Sequence, residues 1–328
     1  MKFDVIIGNP PYQLSHGNEG GNSSFASAIY HLFVERAIEI NPNYIAMIIP
    51  SRWMSKTAFG VPNEFTNKMI KSNKVKEIHD FKDSKDCFNE VQISGGVNYF
   101  LWENNYNGKC NYNYYENSKV TKKFDYLDSL KTGIIIRDPK SFSILKKIKK
   151  IEGVYYSNAK LNFSHLVSPS HFFDKEGILA TNWDGYYNEK DDSNNIKYYL
   201  SKTKNKRGYG WINKSQVPKN QTVINKHKIF VPGTGGGNLV IGEPFYGAPM
   251  TVCSQSYLVV GYDRNFEAEE CTNIISYMKT KLFRYLVGVK KITNDAPRGA
   301  YQFVPLQDFS KPWTDAELYA KYKLTEEE

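Results

Sequence analysis

The tetrapeptide Asn9-Pro10-Pro11-Tyr12 follows the largely apolar run Phe3-Asp4-Val5-Ile6-Ile7-Gly8. These four residues suit chemistry at a planar amino nitrogen such as the exocyclic amine of adenine. That nitrogen is a poor nucleophile because its lone pair is delocalised into the ring. A catalyst that methylates it must hold its two protons with acceptors and let it pyramidalise toward an electrophilic methyl. The side-chain oxygen of Asn9 and the carbonyl of Pro10 supply two acceptors. Pro10 and Pro11 fix φ and stiffen the loop, which keeps those acceptors aimed. Tyr12 offers a ring face on which an extruded base can stack. The acceptor is not named by the loop alone: adenine amines, cytosine amines and a protein glutamine all suit it. Without its context the motif is equally a strand-to-loop turn. Its place between an apolar strand and a Gly/Ser/Asn loop leading to a helix favours methyl transfer.

The elements that must position this loop are legible in the hydrophobic pattern. Residues 3–8 read as a buried strand and 13–22 as a loop rich in Gly, Asn and Ser. A helix is predicted from Ser23 or Ser24, whose hydroxyl can cap it, with Phe25, Ile29, Phe33 and Ala37 on its core face. Tyr44 to Ile49 reads as a second apolar strand, stopped by Pro50. A helix over Asn63–Ser72 and a strand over Val75–Phe81 follow. Val97–Trp102 and Cys110–Tyr115 read as a hairpin-type pair. Fully apolar strands alternating with helices predict a parallel sheet covered on both faces. Ser51-Arg52-Trp53 falls at the C-terminal end of the second strand, where open α/β sheets bind ligands, so it is a candidate wall of the substrate cleft or a plain loop.

From about Asp138 the character changes. Asp138-Pro139 starts a helix through Ile151 that carries Lys146, Lys147, Lys149 and Lys150. Beyond it, short strands and long loops predict an α+β or mostly β domain. One late helix is predicted over Ala268–Val287, with Ile274, Ile275, Met278, Leu282 and Leu286 on one face. The domain boundary is therefore set between 137 and 138.

With 328 residues, two domains and a sizeable core are expected. Forty-three basic against 34 acidic residues give a net charge of +9, which favours a polyanionic partner. Cys87, Cys110, Cys253 and Cys271 are far apart, which predicts reduced thiols and no zinc site. No run approaches the roughly 20 apolar residues a membrane helix needs, and no signal peptide is evident, so a cytoplasmic protein without a membrane partner is expected. Neither a Ser/His/Asp triad nor a nuclease carboxylate cluster emerges, and no metal site is expected.

Ile196 to Lys228 is the candidate nucleic-acid segment. It holds Lys197, Lys202, Lys204, Lys206, Arg207, Lys214, Lys219, Lys226 and Lys228 and lacks Asp and Glu. Tyr198, Tyr199, Tyr209 and Trp211 are interleaved. Lysines neutralise phosphates, and Arg207 or an Asn or Gln can read base edges. The alternative is an ordinary solvated charge run. Lys290, Lys291, Asn294 and Arg298 form a second, weaker patch.

FDVIIGNPPY, SSFASAIYHLFVERA (23–37), YIAMIIPSRWMS (44–55) and DCFNEVQISGGVNYFLW (86–102) occur in that order. In this the chain resembles the TaqI-like and type IIG adenine-specific DNA methyltransferases of restriction–modification systems. KHKIFVPGTGGG (226–237), YQFVPLQDF (301–309) and WTDAELYAKYKLTEEE (313–328) are similar to the recognition regions of that family. The resemblance implies the second half of a doubly wound methyltransferase sheet in residues 1–137 and a DNA target-recognition domain in 138–328. It implies direct methyl transfer from S-adenosylmethionine to a flipped adenine in double-stranded DNA. Asn9, Pro10, Pro11 and Tyr12 would be catalytic, and Phe88 would meet the base opposite Tyr12. The alternatives are a non-catalytic DNA-binding specificity module and a protein-glutamine methyltransferase.

In that family the cofactor elements precede the Asn-Pro-Pro loop by tens of residues, whereas eight residues precede it here. The downstream candidate, Phe230 to Gly237, is glycine-rich but leads into Asn238-Leu239-Val240-Ile241, which reads as a strand, so a hairpin is the better expectation. A split subunit or fragment is therefore expected, with the cofactor-binding half supplied by a second polypeptide. Without upstream strands, the strand at 3–8 would leave an open apolar edge, which favours a partner or self-association.

Overall fold

Tyr44 to Pro50 alternates residues on two faces, with Ile45 and Ile49 sealed in the core and Tyr44 exposed. The computed structural model describes residues 3–14, 26–235, 240–291 and 295–328. The chain divides into two units, Met1–Lys146 and Lys147–Glu328. The first unit runs β1 (Val5–Gly8), β2 (Gln13–Leu14), β3 (Ser27–Ala28), α1 (Tyr30–Glu39), β4 (Tyr44–Pro50), α2 (Asn63–Ser72), β5 (Val75–Phe81), β6 (Val97–Glu103), β7 (Cys110–Glu116) and β8 (Lys119–Asp125). Its six-stranded sheet has the order β1-β4-β6-β5-β7-β8. β1 is parallel to β4, and β5 is parallel to β7. β6 runs antiparallel to both β4 and β5.

The sheet expected to be parallel apart from a closing hairpin is thus a mixed one. The expected pair Val97–Trp102 and Cys110–Tyr115 is not a hairpin, because β5 lies between them. The hairpin is β7–β8 instead, closed by Asn117 and Ser118 at φ 50° and 60°. Two positive φ values in a two-residue loop give the turn whose twist matches the strands. β6 enters the sheet through Gly96, at φ +79°, where a Cβ would stand 2.0 Å from the Phe81 carbonyl. Only glycine fits that approach.

The core packs on one face of this sheet. Tyr30, Val34 and Ala37 of α1 and Phe65 and Met69 of α2 pack with Ile45, Ile49, Ile78, Phe100 and Tyr112. Glu64 in the first turn of α2, Lys71 in its last turn and Asn73 at φ 51° suit the helix dipole and a left-handed stop. The predicted face of α1 holds at Ala37 and is corrected at Phe33. Phe33 is exposed and Tyr30 and Val34 point inward. The helix begins at Tyr30, while its expected start at Ser23 or Ser24, with Phe25, lies outside the described residues.

The opposite face carries Ile7, Tyr44, Tyr99, Val120 and Phe124, all exposed. Helical cover on both faces was expected; among the described residues of this unit the helices lie on one. β1 is also not the buried strand expected. Among the described residues it pairs with β4 alone, and Ile7, on the uncovered face, is 79 % exposed.

α3 (Pro139–Glu152) spans the boundary, and the second unit takes its C-terminal part from Lys147. That unit continues through β9 (Ile196–Tyr199), β10 (Tyr209–Ile212), β11 (Lys228–Pro232), β12 (Phe245–Gly247), β13 (Thr251–Cys253), β14 (Tyr257–Val260), α4 (Ala268–Lys279), α5 (Lys281–Lys290) and α6 (Asp315–Tyr322). Two three-stranded sheets, β10-β9-β13 and β12-β11-β14, enclose a core with Tyr198, Ile212, Phe230, Val252 and Val259. The single helix expected over Ala268–Val287 is two helices. Thr280 adopts ψ 150°, and its hydroxyl accepts from the Phe283 N–H at 3.2 Å. Asp315 accepts from the Lys281 and Leu282 N–H groups as well. A threonine cap of this kind restarts a helix that periodicity alone would continue. The four cysteines are free thiols. No described helix is long and apolar enough to cross a membrane.

Candidate active-site cleft

β1 ends at Gly8, and the chain turns at once into Asn9-Pro10-Pro11-Tyr12. The loop is tied at its far end, where the Tyr12 carbonyl accepts from the Ile29 N–H at 3.1 Å and Gln13–Leu14 pairs with Ser27–Ala28. Pro10 is buried and Asn9 is exposed. Among the described residues neither the Asn9 carboxamide nor the Pro10 carbonyl has a hydrogen-bond partner. Two acceptors therefore stand preorganised and unspent in one stiff loop.

They open onto a cleft of about 810 Å³, a volume ordinary for a small-ligand site. Asn9, Pro10, Pro11 and Tyr12 line it together with Tyr30, Arg52, Phe59 and the residues Val91 to Ser94. The Tyr12 hydroxyl is buried without a partner, and burial with nearby Cys87 raises its pKa. Burial likewise raises that of Tyr30, against the opposing charge of Arg52.

A buried ion pair fixes the walls. Asp80, fully buried on β5, accepts from Arg137 Nε at 2.6 Å and Nη2 at 2.7 Å, from Ser51 Oγ at 2.7 Å and from Tyr112 Oη at 2.6 Å. Arg137 Nη1 donates to the Gly95 carbonyl at 2.7 Å. One carboxylate thus joins the turn that carries Arg52 to the loop that carries Gln92 and Ser94. Ser84 closes that loop, donating to the Val91 carbonyl and accepting from the Ile93 N–H, both at 2.7 Å.

Phe88 is half-buried and does not line the cleft; the residues that follow it do. Phe59, 68 % exposed on the cleft edge, escaped sequence reasoning, as did Tyr30. The only signal for Phe59 was its neighbour Gly60, at φ +85°, which permits the tight approach to Ala28. Arg52, in the segment expected to shape the cleft, does line it.

The basic segment of the second unit is more divided than its sequence implies. Lys228 is corrected: it is fully buried, donates to the carbonyls of Ile224, Lys226 and Ala248, and cannot reach a phosphate. Burial lowers its pKa to about 8. Lys226 donates to the Tyr262 and Arg264 carbonyls. Lys204 pairs with Asp184 at 2.7 Å and Arg207 with Glu189 at 3.2 Å. These acids lie upstream of the segment and return beside it because Tyr187 bridges Trp211. Lys202 and Lys206 are exposed without a carboxylate partner among the described residues. Lys197 lies 4.0 Å from the Tyr209 ring, and Lys190 5.6 Å from that of Trp211. In the second patch, Arg298 donates to the Ser164 carbonyl, Lys290 to Gln302, and Asn294 lies outside the described residues.

Among the described residues no glycine-rich turn follows a strand and opens a helix, the usual form of a seat for S-adenosylmethionine. β11 runs antiparallel to β12, so 233–244 joins two strands instead of opening a helix, and Gly236 to Leu239 lie outside the described residues. In the first unit, β1 leads into two prolines and β4 into Pro50 and a short 3-10 turn. Among the described residues no group of three His, Cys, Asp or Glu could hold a metal ion.

Residues 1–88 match the sequence profile of the family described as Eco57I restriction-modification methylase. Over 126 residues the chain is 50 % identical to an uncharacterized adenine-specific methylase of Mycoplasma pneumoniae, covering 38 % of this chain and 28 % of that protein. Among solved structures, the type IIG restriction endonuclease BpuSI is similar over 98 % of this chain and 48 % of its own, at 10 % identity and a TM-score of 0.38. The type IIL restriction-modification enzyme MmeI, solved in complex with DNA, is similar over 90 % and 44 %, at 10 % identity and a TM-score of 0.40. The chain spans less than half the length of each of these proteins. The stretch that carries β1, the Asn9–Tyr12 loop and Arg52 lies within the residues that match the Eco57I restriction-modification methylase family.

Proposed function

We propose that this chain carries the amine-holding part of a DNA adenine-N6 methyltransferase of a restriction–modification system. The observation that carries the reading is the pair of unspent acceptors at Asn9 and Pro10, on a proline-stiffened loop that shares a cleft with Tyr12. An adenine turned out of the duplex stacks on Tyr12. The two acceptors would hold its amino hydrogens by hydrogen bonds and favour electron density on the nitrogen, which would take the methyl group directly as the donor's carbon–sulfur bond breaks, the thioether leaving and the surplus amino proton passing to solvent, without a covalent enzyme intermediate. Residues 1–137 form the catalytic part and 138–328 the target-recognition domain, with Lys202, Lys206, Tyr209 and Trp211 as its DNA contacts.

S-adenosylmethionine is the methyl donor in this reading, seated by a second polypeptide. The free edge of β1 and the exposed apolar sheet face beside it support that partner, since both are costly to leave in water.

The test is to co-express the chain with the polypeptide encoded upstream, react the purified pair with duplex DNA and labelled S-adenosylmethionine, and identify the methylated product by mass spectrometry. N6-methyladenine is expected. N4-methylcytosine or methylated glutamine would overturn the substrate assignment. DNA binding with no methylated product would point to a non-catalytic specificity module.

A further inference from the structure

The first unit has three arginines, and they are used differently. Arg36 pairs with Glu39 at 2.8 Å. Arg137 is consumed by Asp80 and Gly95. Arg52 lines the cleft and has no carboxylate partner among the described residues. Among the described residues its one side-chain hydrogen bond runs from Nη2 to the Thr57 carbonyl at 2.5 Å, and its Nε is buried without a partner.

A guanidinium has five N–H donors and keeps its charge at any working pH. A guanidinium that lines a cleft without a carboxylate partner leaves its remaining N–H donors and its charge for an anion to match. The backbone around Arg52 is well fixed. Its carbonyl accepts from Ser55 Oγ at 3.1 Å and from the Thr57 N–H at 3.3 Å. Trp53 beside it is sealed in the core, and its carbonyl accepts from Thr66 Oγ1 at 2.6 Å. Lys56 closes the turn in a left-handed conformation at φ 59°. The turn is thus held while the charge it presents is unmatched.

We propose that Arg52 is the anion-binding residue of the cleft, and that its guanidinium takes an anionic oxygen of the ligand that enters beside Asn9 and Tyr12. The inference rests on the nucleotide reading of that cleft. The favoured source is a phosphate of the extruded nucleotide, since an arginine fork matches two phosphate oxygens. The carboxylate of S-adenosylmethionine offers the same chemistry and is the second source.

The experiment measures binding by the full-length protein, by fluorescence anisotropy across a salt series. The probes are a plain duplex, a duplex with one bulged adenine, and the bulged duplex with a neutral methylphosphonate beside that adenine. S-adenosylmethionine binding is measured in parallel by calorimetry. Wild type is compared with Arg52→Gln, Arg52→Lys and Asn9→Ala, with thermal melts to check folding. The expected result is that Arg52→Gln weakens bulged-duplex binding about tenfold, lowers the salt slope by about one, and no longer senses the methylphosphonate. Arg52→Lys should recover the slope but not the full affinity. Loss of S-adenosylmethionine binding with duplex binding unchanged would keep the anion site and assign it to the donor carboxylate. A bulge preference equal in wild type and Arg52→Gln, with donor binding also equal, overturns the proposal and leaves the nucleotide reading standing. A wild type that does not prefer the bulge, and whose Asn9→Ala variant binds identically, fails the nucleotide reading itself. If its donor binding also ignores Arg52, both fall.

Discussion

The Asn9–Tyr12 cleft and the Ile196–Lys228 segment treat their polar groups in opposite ways. In the cleft, the Asn9 and Pro10 acceptors, the Tyr12 hydroxyl and the Arg52 Nε are all held without partners. In the basic segment, Lys228 is wrapped in carbonyls, Lys226 is bonded to two more, and Lys204 and Arg207 face acids. A polar group is available for a ligand only when the fold has not already satisfied it. Residue type suggests both regions; partner accounting separates them.

The contrast is tested hardest where a polar group is fully committed. Asp80→Ala removes the carboxylate that serves Arg137, Ser51 and Tyr112 and leaves a buried guanidinium uncompensated. We expect a loss of about 3–5 kcal/mol in denaturant unfolding, against less than about 1 kcal/mol for Arg52→Gln. Equal losses would erase the distinction between the two arginines.

Lys228 sharpens the comparison through pH. Its pKa is lowered from 10.5 to about 8 in the folded protein. Below pH 8 both folded and unfolded states hold the proton, and stability does not respond through this group. Between pH 8 and 10.5 the unfolded state binds more protons, so raising the pH stabilises the fold, by at most about 3 kcal/mol. Lys228→Met should flatten that rise relative to wild type. A rise that persists unchanged in the variant would mean the ammonium is not desolvated as described.

A smaller effect separates free from paired cations on the proposed DNA surface. Replacing Lys202 and Lys206 together with alanine should lower the salt slope of duplex binding by up to about 2. Replacing Lys204 and Arg207 should lower it less, because Asp184 and Glu189 already compete for those charges. The reverse order would show that the internal ion pairs open on DNA.

Much of the first unit was legible because its signals are local. Tyr44–Pro50 is an apolar run with a clear stop, Val75–Phe81 places Val75 and Ile78 among polar residues, and Asn63–Ser72 has charges in the right turns and a left-handed asparagine end. What was not legible is non-local. The insertion of β6 between β4 and β5 depends on Gly96 passing the Phe81 carbonyl, and no window of sequence contains both partners' geometry. Likewise, Asp184 and Glu189 neutralise lysines only because Tyr187 pairs with Trp211. Thr280 was readable as a cap in principle, but the apolar period continues across it. Of the cleft, the Asn9–Tyr12 motif stood out in the sequence, whereas Tyr30 and Phe59 carry no motif and appear only when the turn after Ala58 folds against Ala28.

The central claim is that the Asn9 side-chain oxygen holds a target amine. It is tested most directly by single-turnover methyl transfer with the reconstituted enzyme, comparing wild type with Asn9→Ala. Asn9 is exposed, with no hydrogen-bond partner among the described residues, so its removal should leave folding unchanged while the transfer rate falls by about 10²-fold or more, as when one polar group is lost from an active site. A variant that transfers methyl groups within a few-fold of the wild-type rate would contradict the account.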